Sequence, residues 1–344
     1  MTLAATVVEL LRRRPLRISR GASDRTTNLF VRLEADGIVG IGEMAPIGYN
    51  GGQTAEQASQ ALTGVAHDLA RLSPGDLRLV ETALLESGVP SAARAAVNMA
   101  CWDWLAKKAN LPLHRILGLP RSSPRTSLTV GIDSPEDVAR RTEEIVREFP
   151  LAPLKLKLGG DGGIEADKAR FLAAQGAAEG RAIRVDANGA WSLDDAIAMS
   201  AWLSDNGCEY LEQPVSHERE DWLPDLFSRR SCPIFLDECV HCAADVIRVG
   251  AYCDGVNVKL MKSGGISEAL RIVATARAMG KQTMIGCMSE TGVAISAGAA
   301  IASLFDYVDL DSHFNIAADP STGITYEDGR VLPGLAPGLG VTLA

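Results

Sequence analysis

From residue 126 onward the hydrophobic pattern keeps one rhythm: a short apolar run, a polar break, an amphipathic stretch of helical period, and another break. Runs of this kind alternating with a 3.6-residue period mark strand–helix units, and such units in series imply a parallel sheet. The runs are 127–130, 154–158, 183–186, 209–212, 234–237, 256–260, 283–286 and 307–311. Eight of them favour a closed barrel over an open sheet. Ser134-Pro135-Glu136-Asp137 and Ser192-Leu193-Asp194-Asp195 are helix starts with a serine cap, Gly264-Gly265 precedes a helix from Ile266, and Gly280 ends it. Residues 1–120 read instead as an α+β domain. Strand-like runs at 7–11, 28–33 and 38–43, with a turn at Ala35-Asp36-Gly37, precede helical patterns at 54–72, 77–86 and 92–109. The polar stretches 19–27 and 45–53 are expected to be long loops near a site. The Gly- and Pro-rich tail, 315–344, is expected to return to the first domain, leaving 121–314 for the barrel. The fold class is α/β.

The stretch 154–158 carries the first chemical signal. Side chains alternate faces along a strand, so Lys155 and Lys157 share one face and Leu154, Leu156 and Leu158 the other. With the leucines under helices, two ammonium groups point inward, where unpaired charge is costly. The following strands end in carboxylates: Asp186, Glu212 and Asp237, spaced 26 and 25 residues apart, one strand–helix unit each. In barrels of this type the strand C-termini share one rim. Three carboxylates on one rim require a cation, and an all-oxygen set selects a hard one, Mg²⁺ or Mn²⁺. Lys259 ends the next strand, so lysines flank the acids on both sides, which suits removing a proton from one face of a carbon and returning it to the other.

Composition narrows the classes. Of 344 residues 47% are hydrophobic and 22% charged, enough for a large core. The net charge of −9 is spread without a long acidic run, and nothing suggests a nucleic-acid partner. No apolar run has membrane-spanning length, so no membrane role is expected, and Met1-Thr2-Leu3 does not open a signal peptide. Seven scattered cysteines fit a reducing, cytoplasmic setting. Cys239-Val240-His241-Cys242 has ligand-like spacing but lacks a second pair, so reduced thiols are the default. A homo-oligomer is expected.

Taken together, the K-x-K pair at Lys155 and Lys157, D-x-N at Asp186, E-Q-P at Glu212, D-E at Asp237 and K-x-x-K-x-G-G from Lys259 to Gly265 resemble the enolase superfamily, in its muconate-lactonizing branch. The resemblance spans essentially the whole chain. It implies a modified (β/α)7β TIM-like barrel with an α+β capping domain built from both termini, and metal-assisted proton abstraction α to a carboxylate. It implies Asp186, Glu212 and Asp237 as metal ligands, Lys157 and Lys259 as acid and base, and Lys155 as a cation for the substrate carboxylate. Asn188, Gln213, Glu238 and Lys262 become supports for these groups. The seventh strand ends Gly286-Cys287-Met288-Ser289, without the histidine base of the mandelate-racemase-like branch. The last ends Val308-Asp309-Leu310-Asp311, and such an Asp-x-Asp pair holds the substrate α-amino group in dipeptide epimerases of the family. The expected function is therefore that of an L-Ala-D/L-Glu-like dipeptide epimerase, with a dipeptide substrate and Arg20 or Arg25 reading its C-terminal side chain. N-acylamino-acid racemase, o-succinylbenzoate synthase and muconate cycloisomerase remain the alternatives, because their substrates lack a free amine.

Overall fold

The N-terminal alternation of apolar and polar residues runs further than the sequence suggested. In the computed structural model, which describes residues 1–49 and 52–344, β1 (Thr2–Ile18) and β2 (Gly21–Ala35) form one long antiparallel hairpin. The stretch expected as a loop at 19–27 is thus mostly strand. Pro15 lies where the pairing register shifts, between Leu11 and Leu16, so the ribbon bends there. Its far end reaches the barrel, where Ile132 donates to the Arg17 carbonyl at 2.9 Å. Part of the 45–53 connection, Asn50 and Gly51, lies outside the described residues.

β3 (Ile38–Met44) completes the sheet in the order β1-β2-β3. Helices α1 (Ala55–Leu69), α2 (Leu77–Glu86) and α3 (Ser91–Lys108) follow, then a short α4 (Leu113–Ile116). Thr54 and Gln57 form a capping box at the start of α1. The alanine-rich face of α3 lies directly on β3 because Gly40 and Gly42 present no side chain. A Cβ on Gly42 would stand 1.9 Å from the Ala96 carbonyl oxygen, and one on Gly40 2.1 Å from that of Ala100.

From there to β11 strands alternate with helices: β4 (Leu128–Val130), α5 (Pro135–Glu148), β5 (Leu154–Lys157), α6 (Gly163–Ala177), β6 (Ile183–Asp186), α7 (Leu193–Asp205), β7 (Leu211–Glu212), α8 (Leu223–Arg229), β8 (Ile234–Leu236) and α9 (Ala243–Val249). Then come β9 (Gly255–Lys259), a one-turn α10 (Leu260–Ser263), α11 (Ile266–Ala278), β10 (Gln282–Gly286), α12 (Gly292–Ile301) and β11 (Tyr307–Asp309). The eight strands are parallel neighbours in sequence order, β4 to β11. A parallel bridge between Thr126 and Val308 closes the ring. Four of the eight strands, β5, β8, β9 and β11, end a residue or two before the apolar runs do, because the last residues of those runs turn into the rim. Tyr210, Phe235 and Met284 are fully buried and, with Tyr307 packed against them, plug the end of the barrel away from the rim. Among the described residues no helix is long and apolar enough to cross a membrane.

Two buried carboxylates join the parts. Glu43, on β3, accepts from Asn28 Nδ2 at 2.7 Å and from the Thr291 and Ala294 amides at 2.8 and 3.0 Å, so a cap-domain acid caps barrel helix α12. Asp103, on α3, accepts from the Ile41 amide at 2.8 Å and the Leu339 amide at 2.7 Å, and so links the C-terminal tail to α3 and β3. Gly42→Ala forces α3 off β3, and its expected cost is about 1–3 kcal/mol of unfolding free energy. Urea denaturation of the two proteins measures it, and equal midpoints and slopes would show that this contact does not set the packing.

Candidate functional site

Parallel register decides which side chains meet at the rim. Lys157 on β5 stands level with Asp186 on β6, and Asp186 with Glu212 on β7. Across the ring, Lys259 on β9 stands level with Gly286 on β10, and Gly286 with Asp309 on β11. β5 and β9 are four places apart in an eight-strand ring, so Lys157 and Lys259 occupy opposite walls. Asp186, Glu212 and Asp237 lie along one arc between them, and the β10–β11 side forms the other. The cavity over this rim, about 1750 Å³, is lined by Lys155, Lys157, Lys259, Asp309 and Asp311 and roofed by the β1–β2 ribbon.

Each lysine has an acid. Lys157 Nζ donates to Asp186 at 2.5 Å and Lys259 Nζ to Asp237 at 2.7 Å. Lys262 Nζ donates to the carboxylate and the carbonyl of Asp237, both at 2.5 Å. Lys155 is fully enclosed, 2.7 Å from Asp309, 2.8 Å from Glu212 and 3.3 Å from Asp186. Only the Asp309 contact has hydrogen-bond geometry, and the charges of all three carboxylates hold this ammonium among themselves.

Asn188, Gln213, Glu238 and Lys262 all lie at this rim. Asn188 donates from its amide to Asp186 at 2.8 Å and from its side chain at 3.2 Å. Gln213 accepts from the Asp237 amide at 2.9 Å and fixes the turn that presents that carboxylate. Glu238 pairs with Arg20 at 2.9 Å. Three further polar residues escaped the sequence reading. Asn257 donates to Glu212 at 2.8 Å, Ser127 to Asp309 at 2.7 Å, and the Thr129 amide to Asp311 at 2.7 Å. Asn257 could have been found, since it shares a strand face with Lys259 two residues on.

The Asp-x-Asp pair is unequal. Asp309 ends β11 and has both oxygens engaged, by Ser127 and Lys155. Asp311 lies past the strand end with one oxygen on Thr129. Burial and the neighbouring Asp309 charge push its carboxyl up to about 6, against the Thr129 amide. The two ribbon arginines also part company. Arg20 is turned onto Glu238 and the Asn188 carbonyl, with its guanidinium 5.3 Å from the Tyr49 ring centre. Arg25 is exposed at the border of the cavity and paired with Asp24 and Glu9. The cysteine cluster holds no disulfide: Cys239 accepts from Gln213, Cys242 caps α9, and all seven thiols are unpaired with one another.

Six carboxyl groups, Asp186, Glu212, Asp237, Glu238, Asp309 and Asp311, face four ammonium groups and the guanidinium of Arg20. Burial opposes ionisation of Asp186 and Asp237, but their lysines outweigh it and hold both below the usual carboxylate range. Glu212 lacks that surplus: burial, then the charge of Asp186, push it up to about 7 despite Lys155. Its Oε2 lies 2.8 Å from Lys155 Nζ without hydrogen-bond geometry, and Oε2 of Glu238 and Oδ1 of Asn188 make no hydrogen bond. Among the described residues no three acidic, imidazole or thiol groups already converge at ligand distance, since each acid is drawn to its own cation. The donor set nevertheless fits a hard divalent ion: all oxygen, buried, short of positive charge, with unpartnered oxygens pointing inward.

Comparison with known proteins agrees with this geometry. Residues 1–118 match the model of the mandelate racemase/muconate lactonizing enzyme N-terminal domain, and residues 137–344 match the enolase C-terminal domain-like model. A hydrophobic dipeptide epimerase of Roseobacter litoralis is 48% identical over 98% of this chain and 97% of its own. Another of that name, from a Flavobacteria bacterium, is 43% identical over 98% and 96%. The crystal structure of the Enterococcus faecalis dipeptide epimerase with Mg and L-Leu-L-Tyr superposes with a TM-score of 0.93 at 32% identity, covering 99% of both chains. The chain belongs to the mandelate racemase/muconate lactonizing enzyme family of the enolase superfamily.

Proposed function

We propose that this protein is a dipeptide epimerase that inverts the α-carbon of the C-terminal residue. The observation that carries the reading is the opposition of Lys157 and Lys259 across the rim, with an acidic arc on one side and Asp311 on the other. A dipeptide fits that frame end to end, its carboxylate toward the acids and its ammonium toward Asp311.

In this reading Asp186, Glu212 and Asp237 hold Mg²⁺ or Mn²⁺. A bound ion would supply the positive charge that stabilises the substrate carboxylate as the α-proton leaves. One lysine, as the neutral amine, takes the α-proton while the C–H electron pair moves into the carboxylate to give an enolate. The opposite lysine, as ammonium, delivers its proton to the other face. Exchanging the two roles runs the reaction in reverse, and no electron acceptor is needed. Lys155 keeps Asp309, Glu212 and Asp186 apart and charged. Asn188, Gln213, Glu238 and Lys262 fix the ligand carboxylates, and Arg20 steadies Glu238. With Arg20 and Arg25 both committed to acids, the pocket suits an apolar C-terminal side chain better than glutamate. The names of the two relatives at 48% and 43% identity point the same way.

Removing divalent metal with a chelator should abolish epimerisation of L-Leu-L-Tyr, and Mg²⁺ should restore it; full activity in chelator would exclude metal assistance. Lys157→Ala and Lys259→Ala should each lower epimerisation at least about 10²-fold. In D₂O each variant should still exchange the α-proton of one epimer only, opposite between the two. Normal epimerisation by both variants would remove the lysines from the mechanism.

Asp311→Asn should raise KM for the free dipeptide by about tenfold or more, the loss of one charge-assisted hydrogen bond. Asp309→Asn should act through Lys155 and lower kcat more than it raises KM. Because Asp311 titrates near 6, it is neutral below that pH and ionised above, so kcat/KM should fall as pH drops through about 6. That step should vanish in Asp311→Asn. Equal turnover of free and N-acetylated dipeptide by the unmutated protein would instead favour an acylamino-acid racemase.

A further inference from the structure

We infer that Arg12 reads the side chain of the dipeptide's first residue and favours an acidic one. The inference rests on the dipeptide reading above, with the substrate ammonium at Asp311.

Arg12 lies on β1, just before the bend of the ribbon, and lines the substrate cavity. Its guanidinium is half-buried. It donates to the Ser23 carbonyl at 2.8 Å and to Ser289 Oγ at 2.5 Å. Among the described residues no carboxylate lies within ion-pair distance of it. On the same ribbon Arg14 pairs with Glu144, Arg20 with Glu238, and Arg25 with Asp24 and Glu9, while Arg13 and Arg17, like Arg12, form no ion pair but are exposed; Arg12 is the half-buried one of these three. Asp24, the acid whose field reaches Arg12, is therefore already taken. A guanidinium has five N–H donors, and the two protein contacts are both to neutral oxygens. A half-buried cation in that state has capacity for an anion.

Its position says which part of the substrate would supply one. Ser289 follows β10, and its carbonyl accepts from Asn28 at 2.8 Å, which pins this loop beneath the ribbon. The next residue, Glu290, donates from its amide to Ser312 at 3.0 Å, and Ser312 adjoins Asp311. Arg12, Ser289, Ser312 and Asp311 are thus consecutive pieces of one wall, all lining the cavity. That wall stands on the β10–β11 side of the ring, away from the arc of Asp186, Glu212 and Asp237. An ammonium on Asp311 places the first residue's α-carbon, and the root of its side chain, along this wall, while the second residue's side chain departs from the reacting carbon between the lysines. A glutamate or aspartate in first position would bring its carboxylate toward Arg12.

The test compares kcat/KM for L-Glu-L-Leu with that for L-Gln-L-Leu, which has the same shape without the charge. The unmutated enzyme should prefer the acidic dipeptide by about tenfold or more. The ratio should fall to near one in Arg12→Ala, recover in part in Arg12→Lys, and shrink with added salt. Each ratio is taken within one protein, so a partly folded variant lowers both members alike. A ratio near one in the unmutated enzyme, or one that survives in Arg12→Ala, would leave Arg12 as a staple between ribbon and barrel and overturn the inference. Turnover of L-Leu-L-Tyr but of neither test dipeptide would also overturn it while the epimerase reading stands. Failure to epimerise any dipeptide would sink both.

Discussion

Everything at the rim follows from one constraint: charge buried inside a barrel must be paired. Four lysine ammonium groups and their acids occupy a space where water is largely excluded. Removing one partner of such a pair strands the other, at a cost of about 3–5 kcal/mol. The pairing is satisfied on every strand but is not complete in sum. Acids outnumber cations, and burial pushes several carboxyls up: Glu212 to about 7, Asp311 to about 6 and Glu290, past the end of β10, to about 8, with Glu238 raised as well. In the proposed reading a divalent ion enters at Glu212 and a substrate ammonium at Asp311, so the imbalance that destabilises the site also prepares it to bind.

The geometry that makes the imbalance useful is a property of the ring. Parallel register lines up one rim residue per strand, and four strand steps in an eight-strand barrel reach the opposite wall. A proton can leave one face of a carbon and return on the other only if its two carriers are so placed. The aromatic plug of Tyr210, Phe235 and Tyr307 beneath them leaves the rim as the open end, and the β1–β2 ribbon roofs it.

That roof is held by polar contacts at its edges and by close backbone packing behind. Glu43 caps α12, Asp103 takes the Leu339 amide, and Gly40 and Gly42 let α3 lie on β3. The ribbon itself meets the barrel through Arg17 with Ile132, Arg20 with Glu238, Arg14 with Glu144, and Arg12 and Asn28 with Ser289.

Much of this was legible in one dimension. The strand–helix rhythm, the lysine-leucine alternation at 154–158 and the phased acids at 186, 212 and 237 are local patterns, and local physics fixes each: period 2 in a strand, one unit per turn of the barrel. They were enough for the fold and the family, and they put the rim lysines and acids forward as the candidate reacting groups. What the sequence could not carry was who pairs with whom. Lys155 looked available to a substrate until three strands brought three carboxylates around it. Asp309 and Asp311 looked equivalent because two residues separate them, yet closure of the ring gave Asp309 to Lys155 and Ser127 and left Asp311 less engaged. The stretch 19–27 looked like a loop because its charges mask a ribbon that only pairing with β1 reveals. Partners such as Arg12 with Ser289, 277 residues apart, leave no trace in the order of residues, because ring closure and docking of the cap bring them together.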